Sequence, residues 1–190
     1  MSLFDMAFGL YGLVLGMAIT EVLGGFSRLL RHRGRTRIGW QVPLLGVVVL
    51  LDLTTFWMDA YQNRAIIPVN QLTLFVAVVL VGCYYLIAGL VFPDDIVDCP
   101  DLDDHYARHV RVVAGGMLAI SFIMQISFGI LEGSAAPGTA VAPEPGTVAL
   151  LLEALTLPIL VALLFVRKRR LTIPMLVILI VAMLAGAAFD

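Results

Sequence analysis

Residues 72–92 read LTLFVAVVLVGCYYLIAGLVF, with no charged residue anywhere in the run. The hydrocarbon core of a bilayer is about 30 Å thick, and a helix rising about 1.5 Å per residue crosses it in about 20 residues. This stretch has that length, and it is apolar on every side rather than along one stripe. A water-soluble helix of this length would show a polar face. The segment therefore predicts a transmembrane helix.

Five more runs of comparable length flank it, at approximately 6–30, 38–61, 110–131, 148–166 and 171–189. Hydrophobic residues make up 61% of the 190 positions and charged residues 14%, against about 25% charged in soluble domains. A soluble fold could not bury so much apolar surface, so lipid is the expected solvent. The sequence predicts an all-α integral membrane protein, a single domain over 1–190 built as a bundle of six transmembrane helices. An acidic loop at 93–109 and a flexible Gly/Ala/Pro loop at 132–147 join its helices. The first run has Asp5 ahead of it and its basic residues behind it, the reverse of a cleavable signal peptide. Cys83 lies inside an apolar run and Cys99 in the acidic loop, so both read as free thiols, with no zinc-type spacing.

Orientation follows from the basic residues. Arg28, Arg31, Arg33, Arg35 and Arg37 separate the first two runs, Arg167 to Arg170 the last two, and Arg108 and Arg111 lead into the fourth. With six crossings all of these fall on one side, and only Arg64 falls on the other. Positive loops stay cytoplasmic, so both termini are expected outside. The expected location is a bacterial inner membrane, and the basic loops suit anionic headgroups rather than nucleic acid.

Polar residues inside the spans are energetically costly there and mark functional sites by default. Counted up from the cytoplasmic ends, Asp52, Gln125 and Glu153 each lie about 20 Å deep. Thr55 and Asp59 continue the stripe of Asp52, Thr156 that of Glu153, and Ser121 that of Gln125. These residues are expected to form one carboxylate layer that handles protons or cations, the competing reading being a polar clamp between helices. Glu21 lies about 10 Å deep, near Tyr84 and Tyr85, with Arg28, Arg111 or a tyrosine hydroxyl as its expected partner. Gly9, Gly12 and Gly16 on the first helix, and Ala182 with Gly186 on the last, read as close-packing faces within the chain or in a homo-oligomer.

The acidic loop carries a second candidate. Asp94-Asp95-Ile96-Val97-Asp98 has the DDxxD spelling that holds magnesium in prenyl-diphosphate enzymes, though no second copy of the motif is present. His105 and His109 are four residues apart and face one way on a helix, where Asp101 or Asp104 would complete a site for a divalent metal. The competing reading makes Asp101 to Asp104 the capped start of a helix whose carboxylates complement its dipole. Pro143-Glu144-Pro145, an apolar run and Arg167 to Arg170 together resemble the PEP-CTERM sorting signal. In that family the basic cluster ends the protein, whereas here another span follows, so Pro145 reads as a helix-start residue.

Some chemistry is excluded outright. The single lysine, Lys168, lies between spans, which rules out a retinal Schiff base. His32, His105 and His109 all lie outside the apolar runs, which removes bis-histidine haem ligation across helices. There is no Walker motif, no glycine-rich nucleotide fingerprint and no GxSxG, and the DG…AR…G…D…D pattern of six-span phosphatidyltransferases is missing. No cofactor other than a divalent cation is indicated. The leading expectation is a small transporter, channel or ion-coupled component. A non-catalytic subunit or scaffold binding a partner membrane protein comes second, and a metal-dependent enzyme using the aspartate loop third.

Overall fold

The computed structural model describes residues 3–32, 39–68, 70–94, 101–134, 147–166 and 168–189; within these, the side chains of residues 3–7, 147–150, 153 and 189 are left aside. Among the described residues the chain is helical, without strands. Its elements are α1 (Leu3–Arg31), α2 (Gln41–Gln62), a short 3-10 turn (Asn63–Ala65), α3 (Gln71–Val91), α4 (Leu102–Ser134), α5 (Thr147–Phe165) and α6 (Arg169–Phe189). Five of them, α1, α2, α3, α4 and α6, are long and apolar enough to cross a membrane.

Local chemistry sets the ends. Asn70 caps α3, its side-chain oxygen accepting from the Thr73 N–H at 2.8 Å, which satisfies one of the donors that a helix start leaves free. Asp101 does the same for α4, accepting from the Asp103 N–H at 2.9 Å. That cap starts α4 eight residues before the apolar run beginning at 110. The helix is 33 residues long, about 50 Å, and so exceeds the thickness of a hydrocarbon core.

The helices run up and down, and specific pairs fix which ends meet. Phe92, just after α3, packs its ring against Gly25 near the end of α1 and against Gly46 near the start of α2. The His105 ring meets the Leu90 carbonyl at 3.2 Å, bringing the start of α4 to the end of α3. Arg111 donates to the Leu164 carbonyl at 3.1 Å and so joins α4 to the end of α5. Gln41 donates to the Thr172 hydroxyl at 2.6 Å, joining the start of α2 to the start of α6. All the described basic residues except Arg64 belong to this shared end, called the arginine end below.

The core is concentrated there. Leu45, Val48, Val49 and Leu53 of α2 form one buried cluster with Val22 of α1, Val81 and Ala88 of α3, Val113 and Met117 of α4, Leu163 of α5 and Leu176 and Leu179 of α6. Three glycines permit the close approach: a side chain at Gly25 would collide with Phe92, one at Gly46 would come within 3.0 Å of Phe92 and Phe26, and one at Gly116 within 2.6 Å of Ile87. Beyond Ile120 in α4, before Val81 in α3 and before Leu160 in α5, no described residue is buried. Past those points packing thins to partly buried contacts, such as Leu80, Met124 and Ile159 against the core. Toward the far end α1 and α2 meet through a cluster of Phe8, Tyr11, Phe56, Trp57 and Tyr61 rings with centroids 4.3–5.8 Å apart.

The glycine faces expected on α1 and α6 are only partly used. Gly12 lies against the Trp57 ring, whereas Gly9, Gly16 and Gly186 have nothing within contact distance. Of the other closely packed glycines described, Gly25, Gly39, Gly46 and Gly116, none lies in a GxxxG spelling.

Candidate functional site

Asp52 lies two turns above Leu45 on α2, with the buried Leu53 beside it. Its carboxylate does not meet Gln125. The Tyr84 hydroxyl of α3 donates to Asp52 Oδ2 at 2.7 Å, and the Tyr84 side chain is almost fully buried. Counting all helices from one plane places Tyr84 about 10 Å shallower than Asp52. They do not share one: Phe92, at the end of α3, meets Gly46, already more than a turn into α2. Counted from that contact, Tyr84 lies about 12 Å further in and Asp52 about 9 Å. The two are nearly level, and the length of a tyrosine covers the difference.

The surroundings are aromatic. The Phe56 ring lies 4.8 Å from Tyr84 and 5.6 Å from Tyr11. The Tyr11 hydroxyl donates to the Phe56 carbonyl at 3.3 Å. Asp59, one turn beyond Phe56, is near enough to act electrostatically on both tyrosines. Tyr11, Asp52, Asp59 and Tyr84 thus bring four titratable groups from three helices into one region. Among the described residues no Lys or Arg forms an ion pair with Asp52. A carboxylate accepts hydrogen bonds and a phenol donates them, so the pair can hold a charge or exchange it for a proton.

The other expected members of the layer fall elsewhere. Gln125 is exposed on the far half of α4, and Thr55 is exposed on α2. A shared helical stripe tells which residues lie together but not which way the stripe faces, and Gln125 faces out. Glu153 lies in α5, with its side chain outside the described residues; Thr156, one turn on, is half-buried.

Glu21 pairs with Arg28 on its own helix at 3.1 Å, both side chains about one-third exposed. This is one of the partners its position suggested; Arg111 instead serves the end of α5. Glu21 also borders a groove of about 510 Å³ between α1 and α3, lined by Gly12, Gly16, Met17, Thr20 and Tyr85.

The acidic segment reads differently once folded. Asp101 is spent on the α4 cap, and Asp103 forms an ion pair with Arg169 at 2.6 Å, a contact between α4 and α6. Asp94 and Asp104 are exposed. His105 is buried against α3, and its ring stacks on His109 at 4.2 Å while His109 Nδ1 meets the His105 carbonyl at 3.0 Å. Among the described residues no three His, Cys, Asp or Glu side chains converge on a possible metal position. Asp95 and Asp98 lie outside the described residues.

Two features of this end escaped the sequence reading. The Gln41–Thr172 bond joins residues 131 positions apart, and nothing in the local pattern of either signals the other. Asp103 was legible only as one of many acids facing many bases. Compared with family models, curated proteins and solved structures, the chain matches none.

Proposed function

We propose that this multi-pass membrane protein is a small ion- or proton-coupled component in which Asp52 carries the proton and Tyr84 is its hydrogen-bond partner. The observation behind this reading is the 2.7 Å bond between the two inside an aromatic pocket, with no described cation paired to the carboxylate. A charge held there without a counter-ion is costly, and taking up a proton relieves that cost. Asp59 and Tyr11 extend the polar region toward the far end of α2, and Glu153 is its candidate member on α5. Gln125 and Thr55 have no part in it, because both face outward.

In the same reading all six helices span, with α5 as the sixth at 19 residues, about 28 Å. The arginine end is cytoplasmic by the positive-inside rule and rests on anionic headgroups of a bacterial inner membrane.

The test is flux. Purified protein in liposomes carrying a pH-sensitive dye should pass protons, or a cation in exchange for them, under an imposed gradient. Asp52→Asn should abolish the flux while leaving the protein folded, and Tyr84→Phe should slow it. Full flux in Asp52→Asn would overturn the proposal.

A second reading, a non-catalytic subunit of a larger membrane complex, draws on the outward, unpacked far half of α4. Under it the purified chain is inert in liposomes and copurifies with a defined partner.

A further inference from the structure

The far half of α4 carries a feature that the Asp52 site does not use. Gln125 is exposed there and has no hydrogen bond to any described residue. Its depth can be read from the bundle itself. Gly116 of α4 lies beside Ile87 of α3, and nine residues further along α4 brings Gln125 level with Val78. Val78 is seven residues inside the α3 end, about 10 Å from it, amid an uninterrupted apolar run. In a membrane that depth is hydrocarbon. A bare carboxamide there has unmet donors and acceptors that lipid tails cannot satisfy.

One and two turns further, on the same side of the helix, come Gly129 and Gly133. Both are exposed, and a side chain built on Gly129 or Gly133 would meet nothing. Phe122 and Ile126 flank this stripe and are also exposed; exposed Glu132 shares it, but lies level with Gln71 at the α3 end, where a carboxylate can reach water. A carboxamide both donates and accepts, so a second carboxamide can satisfy both of its halves at once. Two copies of one stripe related by a twofold axis supply that pairing, because each side of such an interface presents the same patch. The glycines then let the backbones approach closely enough for the amides to meet.

We infer that the chain forms a homodimer through α4, with Gln125 of each copy hydrogen-bonded to its counterpart and Gly129 and Gly133 at the close approach. The interface is independent of the Asp52 pair. It also differs from the glycine faces of α1 and α6, which carry no comparable unsatisfied group among the described residues. Lipid alone, or a different protein, on this face would be the competing occupants.

The experiment uses the full chain in liposomes, labelled with donor and acceptor dyes at the exposed arginine end. Energy transfer is followed as lipid is added to dilute the protein. Wild type should show reversible transfer that falls on dilution. Gln125→Leu should weaken association about threefold to tenfold, the range expected for one or two intramembrane hydrogen bonds. Gly129→Ile should weaken it further, and Gln125→Asn should retain part of it. These positions are exposed, and circular dichroism checks that each variant stays folded. Orientation is tested separately with cysteines in a Cys83→Ala, Cys99→Ala background. Phe122→Cys, beside the stripe, should cross-link on oxidation, and Ile123→Cys, equally in lipid but turned about 100° away, should not. Three results would overturn the inference: no transfer in wild type at any protein-to-lipid ratio, wild-type association in Gln125→Leu, or equal cross-linking at positions 122 and 123. Flux by the dimer-deficient variant is unaffected if the Asp52 reading alone is correct, so the two proposals fail separately.

Discussion

At the arginine end, Gly25, Gly46 and Gly116 each make room for a neighbouring side chain, whereas toward the far end Gly129, Gly133 and Gly186 face open space. The residue types match, yet their work is opposite. In the first region glycine lets helices of one chain close on each other around a dry core of Leu, Val and Met. In the second, α3, α4 and α5 carry the same kinds of residues turned outward, with Phe75, Phe122 and Leu151 each about two-thirds exposed or more. In water such a surface would collapse or aggregate. In lipid it has no cost, because hydrocarbon tails are as apolar as leucine. What distinguishes the regions is therefore packing and the few polar groups that need a partner.

That contrast can be broken by substitution. The largest expected effect is Leu45→Ala at the arginine end, which empties a fully buried site and should cost about 2 kcal/mol or more. Phe122→Ala should change monomer stability by less than about 0.5 kcal/mol; reversible unfolding in mixed micelles measures both. Next comes Gly46→Leu, which drives a side chain into Phe92 and Phe26 and should cost about 1–3 kcal/mol through overpacking. Gly186→Leu, with nothing to strike, should be neutral or slightly stabilising. Equal losses in the two glycine variants would show that the far end is as tightly packed as the arginine end. The smallest effect sharpens the picture. Gln41→Leu or Thr172→Val alone should cost about 1 kcal/mol by leaving a buried partner unsatisfied, and the double variant should recover most of it. A double-mutant cycle in the same unfolding assay reads this coupling.

The helices themselves were legible in the sequence. Apolar length decides a membrane span more strongly than any propensity; five of the six runs coincide closely with a helix, and the fourth lies inside the longer α4. The extension of α4 was also legible, through the acids that cap it. Depth was less so. Counting from loop ends assumes that all helices stop in one plane, and Phe92 meeting Gly46 shows how far that fails here; this concealed the Asp52–Tyr84 pair. Facing was not legible at all for Gln125. The far half of α4 mixes Ser121, Gln125, Ser127 and Glu132 among apolar residues, and such a helix carries no single stripe to say which side looks inward. Of the acidic loop, the sequence offered both a metal site and a capped helix. The Asp101 cap and the Asp103–Arg169 pair account for two of its aspartates as structural.

Phe92 has one more consequence, which concerns time rather than space. Its ring fills the notches at Gly25 and Gly46 together and reaches Phe26 at a 4.9 Å centroid distance. The hairpin of α1 and α2 can join at its aromatic far end as soon as both helices are inserted. At the arginine end the chain itself joins them, yet the notches at Gly25 and Gly46 stay unfilled until residue 92 has left the ribosome. Synthesis therefore delivers the first two helices with that seam unfilled, and the last residue before the acidic segment is the wedge that fixes α3 against both.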